Sequence, residues 1–229
     1  MSATAKATPS LAREPATQRL QRDTLQEQLY QQLRIALLRG QYAPGQAMTI
    51  RAIAELFETS TMPVREALRR LVSEGALDGP PNRTIRVPLL STARLKELCL
   101  IRHSLEPLAT KLAADKLTGA DLRILDEACD GMENAIARRD ASDYLAHHHT
   151  FHFTIYQKAN SPALLAIVES LWLQLGPYLQ SLFDKRGAAR SPERHHRAIL
   201  LSLKKRDASE ASKLIAEDTQ SAIASLTGR

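Results

Sequence analysis

The chain is short of everything that would cross-link it, stack it or thread it through a bilayer. It holds only two cysteines in 229 residues. Both, Cys99 and Cys129, fall in helical apolar patterns, so no disulfide framework is implied and a buried, reduced thiol is expected at each. Aromatic residues make up 4% of the chain against 44% apolar residues in all. Leu and Ala dominate the remainder, which favours helix over strand. The most apolar stretch, 164–182, is interrupted by Glu169, Gln174, Gly176 and Pro177, too polar and broken to span a membrane. MSATAKATPSLAREPATQR, at the start, has no apolar core of a signal peptide and a composition that cannot bury surface. Residues 1–22 are therefore expected to be a disordered tail, and the cytoplasm is the expected compartment. No H-E-x-x-H occurs and no nucleophile-base pairing is evident, which argues against an enzyme.

What the chain does have is positive charge, +6 overall. Residues 1–90 hold 12 Lys/Arg against 8 Asp/Glu, and residues 91–229 hold 19 against 17, so the excess leans to the N-terminal part. Such a field favours anionic partners.

Hydrophobic spacing divides the chain. Leu25, Leu29, Leu33, Ala36 and Leu37 form a helical stripe that RGQYAPGQ stops. Thr49 is a candidate N-cap for a short helix carrying Ile50, Ile53, Ala54 and Phe57. A third helix opens at Ser60 or Thr61, has Pro63 in its first turn, and places Val64, Ala67, Leu68, Leu71 and Val72 on one face before Gly75. Its other face carries Arg65 and Arg69, with Glu66 and Arg70 spaced to pair. ALDGPPNRTIRVPLL then reads as strand, turn, strand about Gly79-Pro80-Pro81-Asn82. Beyond Ser91 only helical periods follow, over 92–117, 119–138, 140–158, 161–184, 191–205 and 207–227. The fold class expected is mainly α: a winged helix-turn-helix with a small β-hairpin wing over 23–90, and an all-α helical bundle over 91–229.

The first of these regions, LRIALLRGQYAPGQAMTIRAIAELFETSTMPVREALRRLVSEGAL, resembles the DNA-binding domain of the GntR family of bacterial transcription regulators. It shares that family's P-G turn, its A-E-x-F/L helix and its P-V-R-E-A-L-R-R-L-x-x-E-G run. The resemblance implies that Arg65 reaches a base edge, where a planar guanidinium can take guanine O6 and N7 together. It implies DNA contact by Arg51, and phosphate contact by Arg69. The family often has arginine then threonine before P-V-R, where this chain has Thr61-Met62. One guanidinium contact is thus replaced, leaving Ser60 and Thr61 to offer hydroxyls to phosphate. At the wing, Asn82 and Arg83 either enter the minor groove or form a solvated hairpin tip.

YLAHHHTFHFTIYQ places four of the seven histidines between His147 and His152. On a helix, His148 and His152 share a face one turn apart, as metal chelation by imidazole requires, while His147 and His149 point elsewhere. A plain polar pair would show the same spacing. A second cluster, His195 and His196, lies on a later helix. LIRHSLEPLATKLAA, TFHFTIYQKANSPAL and HHRAILLSLKKRDASEASKLIAED are similar to segments of the FCD ligand-binding domain of the FadR-like subfamily. Many such domains hold a divalent metal through an aspartate, a histidine one turn later and two histidines of the last helices. Carried over, these positions are His148, His152, His196 and Asp218, with histidine and aspartate exchanged at the first and last. That inventory implies a divalent ion, zinc or nickel foremost. Arg102 is by resemblance the clamp for an effector's carboxylate, or else pairs with Glu106 one turn on. Trp172 and Tyr178 either line the pocket or fill the core.

The expected function is a homodimeric regulator, a repressor foremost, that binds double-stranded operator DNA and is controlled by a small organic acid bound in a metal-containing helical domain. The alternatives are a regulator responding to the metal itself, and a metal-dependent enzyme built on the histidine-rich bundle.

Overall fold

The computed structural model describes residues 25–79, 84–186 and 192–227. The tail expected over 1–22 lies outside them. Helix α1 (Leu25–Leu38) buries Leu29, Leu33 and Leu37, as their spacing predicts. Strand β1 (Ala47–Met48), α2 (Ile50–Leu56) and α3 (Thr61–Ser73) follow. Thr49 caps α2, its hydroxyl accepting the Ala52 N–H at 3.2 Å. Val64, Ala67, Leu68 and Leu71 of α3 are wholly buried, and α3 packs on both α1 and α2. Burial of each leucine contributes about 1.5–3 kcal/mol. The chain leaves α3 through Gly75 at φ +72°, a left-handed turn that any side chain would strain.

The wing differs from the sequence expectation in its pairing. Strand β2 (Ile85–Arg86) runs antiparallel to β1, with Ala47 opposite Arg86 and Met48 opposite Ile85. Among the described residues, the run upstream of Gly79 contributes a single bridge, Asp78 to Arg86, with reciprocal N–H···O bonds of 2.8 Å. Two-residue strands are too short to display alternation, and β1 directly follows the stop signal that ends α1.

Every element described in the second region is a helix: α4 (Thr92–Ala113) with a 3-10 turn at Ala114–Lys116, α5 (Gly119–Arg138), α6 (Ala141–Gln157), α7 (Pro162–Arg186), α8 (Pro192–Lys204) and α9 (Ala208–Thr227). Helices begin at the expected breaks because polar side chains cap them. Ser91 accepts from Arg94 N–H, Asp140 from Asp143 N–H and Asp207 from Glu210 N–H, while Thr118 and Asp121 form a reciprocal box. In the bundle α4 lies along α9 and α5 along α6, and α7 touches α4, α6 and α9.

Helix α7 also reaches back to α1. Arg34 of α1 bridges Glu169 of α7 at 2.8 Å. Tyr178, two turns on, donates its hydroxyl to the Pro88 carbonyl at 2.8 Å and accepts from Leu90 N–H at 2.6 Å, pinning the connecting segment to the bundle. One apolar core runs through both regions.

Candidate functional site

Helix α3 presents its polar face opposite the buried one. Thr61, Arg65 and Arg69, four residues apart, fall on a single stripe. Arg65 is half-buried and forms no ion pair among the described residues. Arg69 is held by Glu66 at 2.9 Å with its side chain half exposed. Arg70 is differently employed: it lies 3.6 Å over the Tyr30 ring and pairs with Glu27 at 2.8 Å and Glu74 at 3.2 Å. The Glu66–Arg70 pair expected from spacing is therefore replaced by Glu66–Arg69 and Arg70–Glu74, because Tyr30 of α1 captures the Arg70 guanidinium. Ser60 stands at the N-cap of α3 without a capping bond from its side chain, so hydroxyl and helix N-terminus face outward together. Arg51 on α2 projects into solvent with Glu55 beside it, at 3.0 Å. Arg83, and Asn82 beside it, lie outside the described residues. Arg86 of β2 is exposed in the same wing, and its outward position in T-I-R-V was the signal for it.

The second constellation lies in the bundle. The helical pitch of α6 sets His148 and His152 on one face; α8 supplies His196 and α9 supplies Asp218. One ligand atom from each of the four falls within 4.8 Å of all the others. His152 Nε2 is 3.2 Å from His196 Nε2 and 3.7 Å from Asp218 Oδ2. His152 and His196 are fully buried, His148 and Asp218 are 8% and 7% exposed. Burial, then the neighbouring imidazoles and Arg102, hold His152 well below the usual histidine value, so it is a neutral imidazole with one lone pair to give. Tetrahedral ligation at about 2.0–2.1 Å sets imidazole nitrogens about 3.3 Å apart. The donor chemistry therefore fits a first-row divalent ion; the 3.2 Å between His152 and His196 already matches that spacing, and atoms as much as 4.8 Å apart would close by about 1.5 Å.

The remaining histidines stand apart from the cluster. His147 packs its ring on Gly131 of α5, and Asp143 is 3.6 Å from it. His149 stacks on Phe153 with centroids 4.2 Å apart, and burial, aided by Arg34 and Arg39, lowers it to about 4. His103 bonds to Ala216 O and Thr219 Oγ1, both at 3.0 Å, and His195 donates to Leu214 O at 2.6 Å, so both hold α9 in place.

Behind the cluster is a polar network that reading of the sequence did not assemble. Arg102 is turned to Glu106, with Nε at 2.5 Å and Nη2 at 3.2 Å from its oxygens, and both side chains are buried. Burial would lower the Arg102 pKa, but the Glu106 charge outweighs it and holds the guanidinium protonated. Trp172 Nε1 donates to Glu106 at 2.6 Å, and its ring lies 4.5 Å from the Arg102 guanidinium and 5.2 Å from the His152 ring. Tyr156 donates to Glu106 at 2.8 Å. Only the i, i+4 spacing of Arg102 with Glu106 signalled any of this in advance.

Comparison with known proteins gives two family matches. Residues 25–87 match the family described as bacterial regulatory proteins, gntR family, and residues 97–220 match the FCD domain. The HTH-type transcriptional regulator McbR of Escherichia coli (strain K12) is 32% identical over 214 residues, covering 93% of this chain and 97% of that one. The HTH-type transcriptional repressor RspR of the same organism is 25% identical over 85% of each chain. Among solved structures, E. coli McbR/YncC superposes with a TM-score of 0.83 over 90% of this chain and 98% of its own. A GntR regulator of Rhodococcus sp. RHA1, 21% identical, shares the fold with a TM-score of 0.72 over 89% of this chain and 97% of its own.

Proposed function

We propose, since the chain belongs to the gntR family of bacterial regulatory proteins and carries an FCD domain, that it is a homodimeric repressor whose operator affinity is set by a small carboxylate bound at a divalent ion in the bundle. The observation that carries the reading is the convergence of His148, His152, His196 and Asp218 to within 4.8 Å in a domain whose helix α7 is bonded to the DNA-binding domain. His148, His152, His196 and Asp218 would hold the ion, which would supply a Lewis-acidic position for an anionic oxygen. Zinc and nickel both accept this donor set.

On the DNA side, Arg65 reads a base edge from the major groove, while Arg51, Ser60, Thr61 and Arg69 fix the helix on phosphates. Arg83, in the wing sequence, is assigned a minor-groove contact by the family resemblance. Two winged helices in a dimer read half-sites at a set separation, so a ligand that turns one domain against the other lowers affinity for the pair. The RspR relative is named a repressor, which supports that sign of control. Among the described residues no helix is long and apolar enough to cross a membrane.

The test is a titration of the purified protein with zinc or nickel, and then with a panel of small carboxylic acids, while binding to its own promoter DNA is followed by fluorescence anisotropy. Release of DNA by an acid only when the ion is present supports the reading. A response to the ion alone makes the protein a metal sensor instead, and turnover of any acid makes it an enzyme.

A further inference from the structure

The buried Glu106 carboxylate is not among the four clustered ligands, yet it takes four hydrogen bonds, two from Arg102 and one each from Trp172 Nε1 and Tyr156 Oη. A carboxylate so deeply placed is retained only with such compensation. Its bond to Tyr156 has a directional consequence. A phenol has one proton, and here that proton goes to Glu106 Oε2 at 2.8 Å. The Tyr156 oxygen can then only accept, and its other neighbour is His152 Nδ1 at 2.9 Å. That nitrogen must be the N–H donor. The neutral imidazole accordingly carries its lone pair on Nε2, the atom that faces His196 Nε2 and Asp218 Oδ2. The opposite arrangement, Tyr156 donating to His152, would require Glu106 to supply a proton to Tyr156 while two nitrogens of Arg102 donate to it.

We infer that Glu106, acting through Tyr156, fixes His152 as its Nδ1–H tautomer and so presets Nε2 as an ion ligand; Glu106 and Tyr156 are positioning residues, with Arg102 and Trp172 holding the carboxylate in place. The inference rests on the ion-site reading above. It changes what Arg102 does: its charge is committed to the carboxylate that orients the site. The chain Arg102, Glu106, Tyr156, His152 spans α4 and α6, and Trp172 joins it to α7, the helix bonded to the DNA-binding domain. Such outer partners typically change metal affinity by about 10–100-fold when removed.

The experiment uses the full chain labelled with 15N-histidine, ion-free, with the His152 signals assigned by their loss in His152→Gln. Two-bond nitrogen–proton spectra report which ring nitrogen carries the proton, and zinc affinity is measured by competition with a chromophoric chelator. The wild type should show the Nδ1–H tautomer at His152. Tyr156→Phe should populate the Nε2–H form and weaken zinc about 10–100-fold, while the other histidine signals stay in place as evidence of an intact fold. An Nε2–H tautomer in the wild type, or unchanged tautomer and zinc affinity in Tyr156→Phe, overturns the inference. If the wild type shows the stated tautomer but binds no divalent ion, the ion-site reading has failed, and the ligand role given to His152 falls with it.

Discussion

Gly176 of α7 lies against the end of α1 so closely that a Cβ there would sit 2.4 Å from the Leu37 carbonyl oxygen and 2.8 Å from the Leu38 Cα. Those atoms are backbone and cannot turn aside. The absence of a side chain is what allows the DNA-binding domain to rest directly on the helix that carries Trp172. Gly176→Ala should therefore cost about 1–3 kcal/mol and part α1 from α7. Gly131→Ala provides the control. Its Cβ would meet the His147 ring at 2.4 Å, but that ring is partly exposed and can swing outward. Denaturant unfolding of the two variants should show a clear loss for Gly176 and little for Gly131. Equal losses would mean that the α1–α7 contact is not tight in solution.

That contact also shows where sequence reading stops. Glu169, Gln174, Gly176 and Pro177 are visible in the sequence as interruptions of an apolar run, which excludes a membrane span. Their positive role needs the third dimension: Glu169 faces Arg34, Gln174 meets Arg94 at 3.3 Å, and Gly176 receives Leu37. Helix limits, by contrast, were legible, because Ser91, Thr118, Asp140 and Asp207 announce local capping chemistry. The four residues that cluster could be singled out because helical pitch joins His148 to His152 and family resemblance supplies His196 and Asp218. Nothing local ties Tyr156 or Trp172 to Glu106, 50 and 66 residues away.

Two arginines on α3, five residues apart, should behave in opposite ways. Arg65→Ala removes the side chain assigned to a base edge, and operator affinity should fall by about 1–3 kcal/mol with relaxed preference at one base pair. Arg70→Ala instead removes a cation held over Tyr30 and between Glu27 and Glu74. It should lower folding stability by about 1 kcal/mol and leave operator affinity nearly unchanged. Anisotropy titrations paired with thermal melts separate the two effects; an Arg65 variant that binds operator as tightly as the parent would unseat α3 as the recognition helix.

Asp121 gives a pH dependence with a definite sign. Burial pushes its carboxyl up, but bonds from Thr118 and Lys158 outweigh this and bring it down to about 2. A folded value below the unfolded one adds stability that is fully present above the unfolded value of about 4 and is lost as pH falls toward about 2. Asp121→Asn should thus be less stable than the parent by about 1 kcal/mol at neutral pH, and the difference should shrink across the acid window. A gap that persists unchanged to pH 2 would show that the charge at Asp121 is not what stabilises the start of α5.

Ion binding at the cluster should appear as stability, since a ligand held only by the folded state raises the unfolding free energy by RT ln(1 + [L]/Kd), about 2.7 kcal/mol at a hundredfold excess over Kd. Zinc should raise the melting temperature of the parent, and His152→Ala should abolish most of that rise, because it deletes the imidazole whose Nε2 lies 3.2 Å from His196 Nε2 and 3.7 Å from Asp218 Oδ2. His147→Ala should keep the full rise, since that ring packs on α5 outside the cluster. With operator DNA alone, the His152 variant should bind as the parent does, its substitution lying in the bundle and not on α3. Zinc stabilising the parent and His152→Ala alike would place the ion at some other surface and remove the bundle from the account of control.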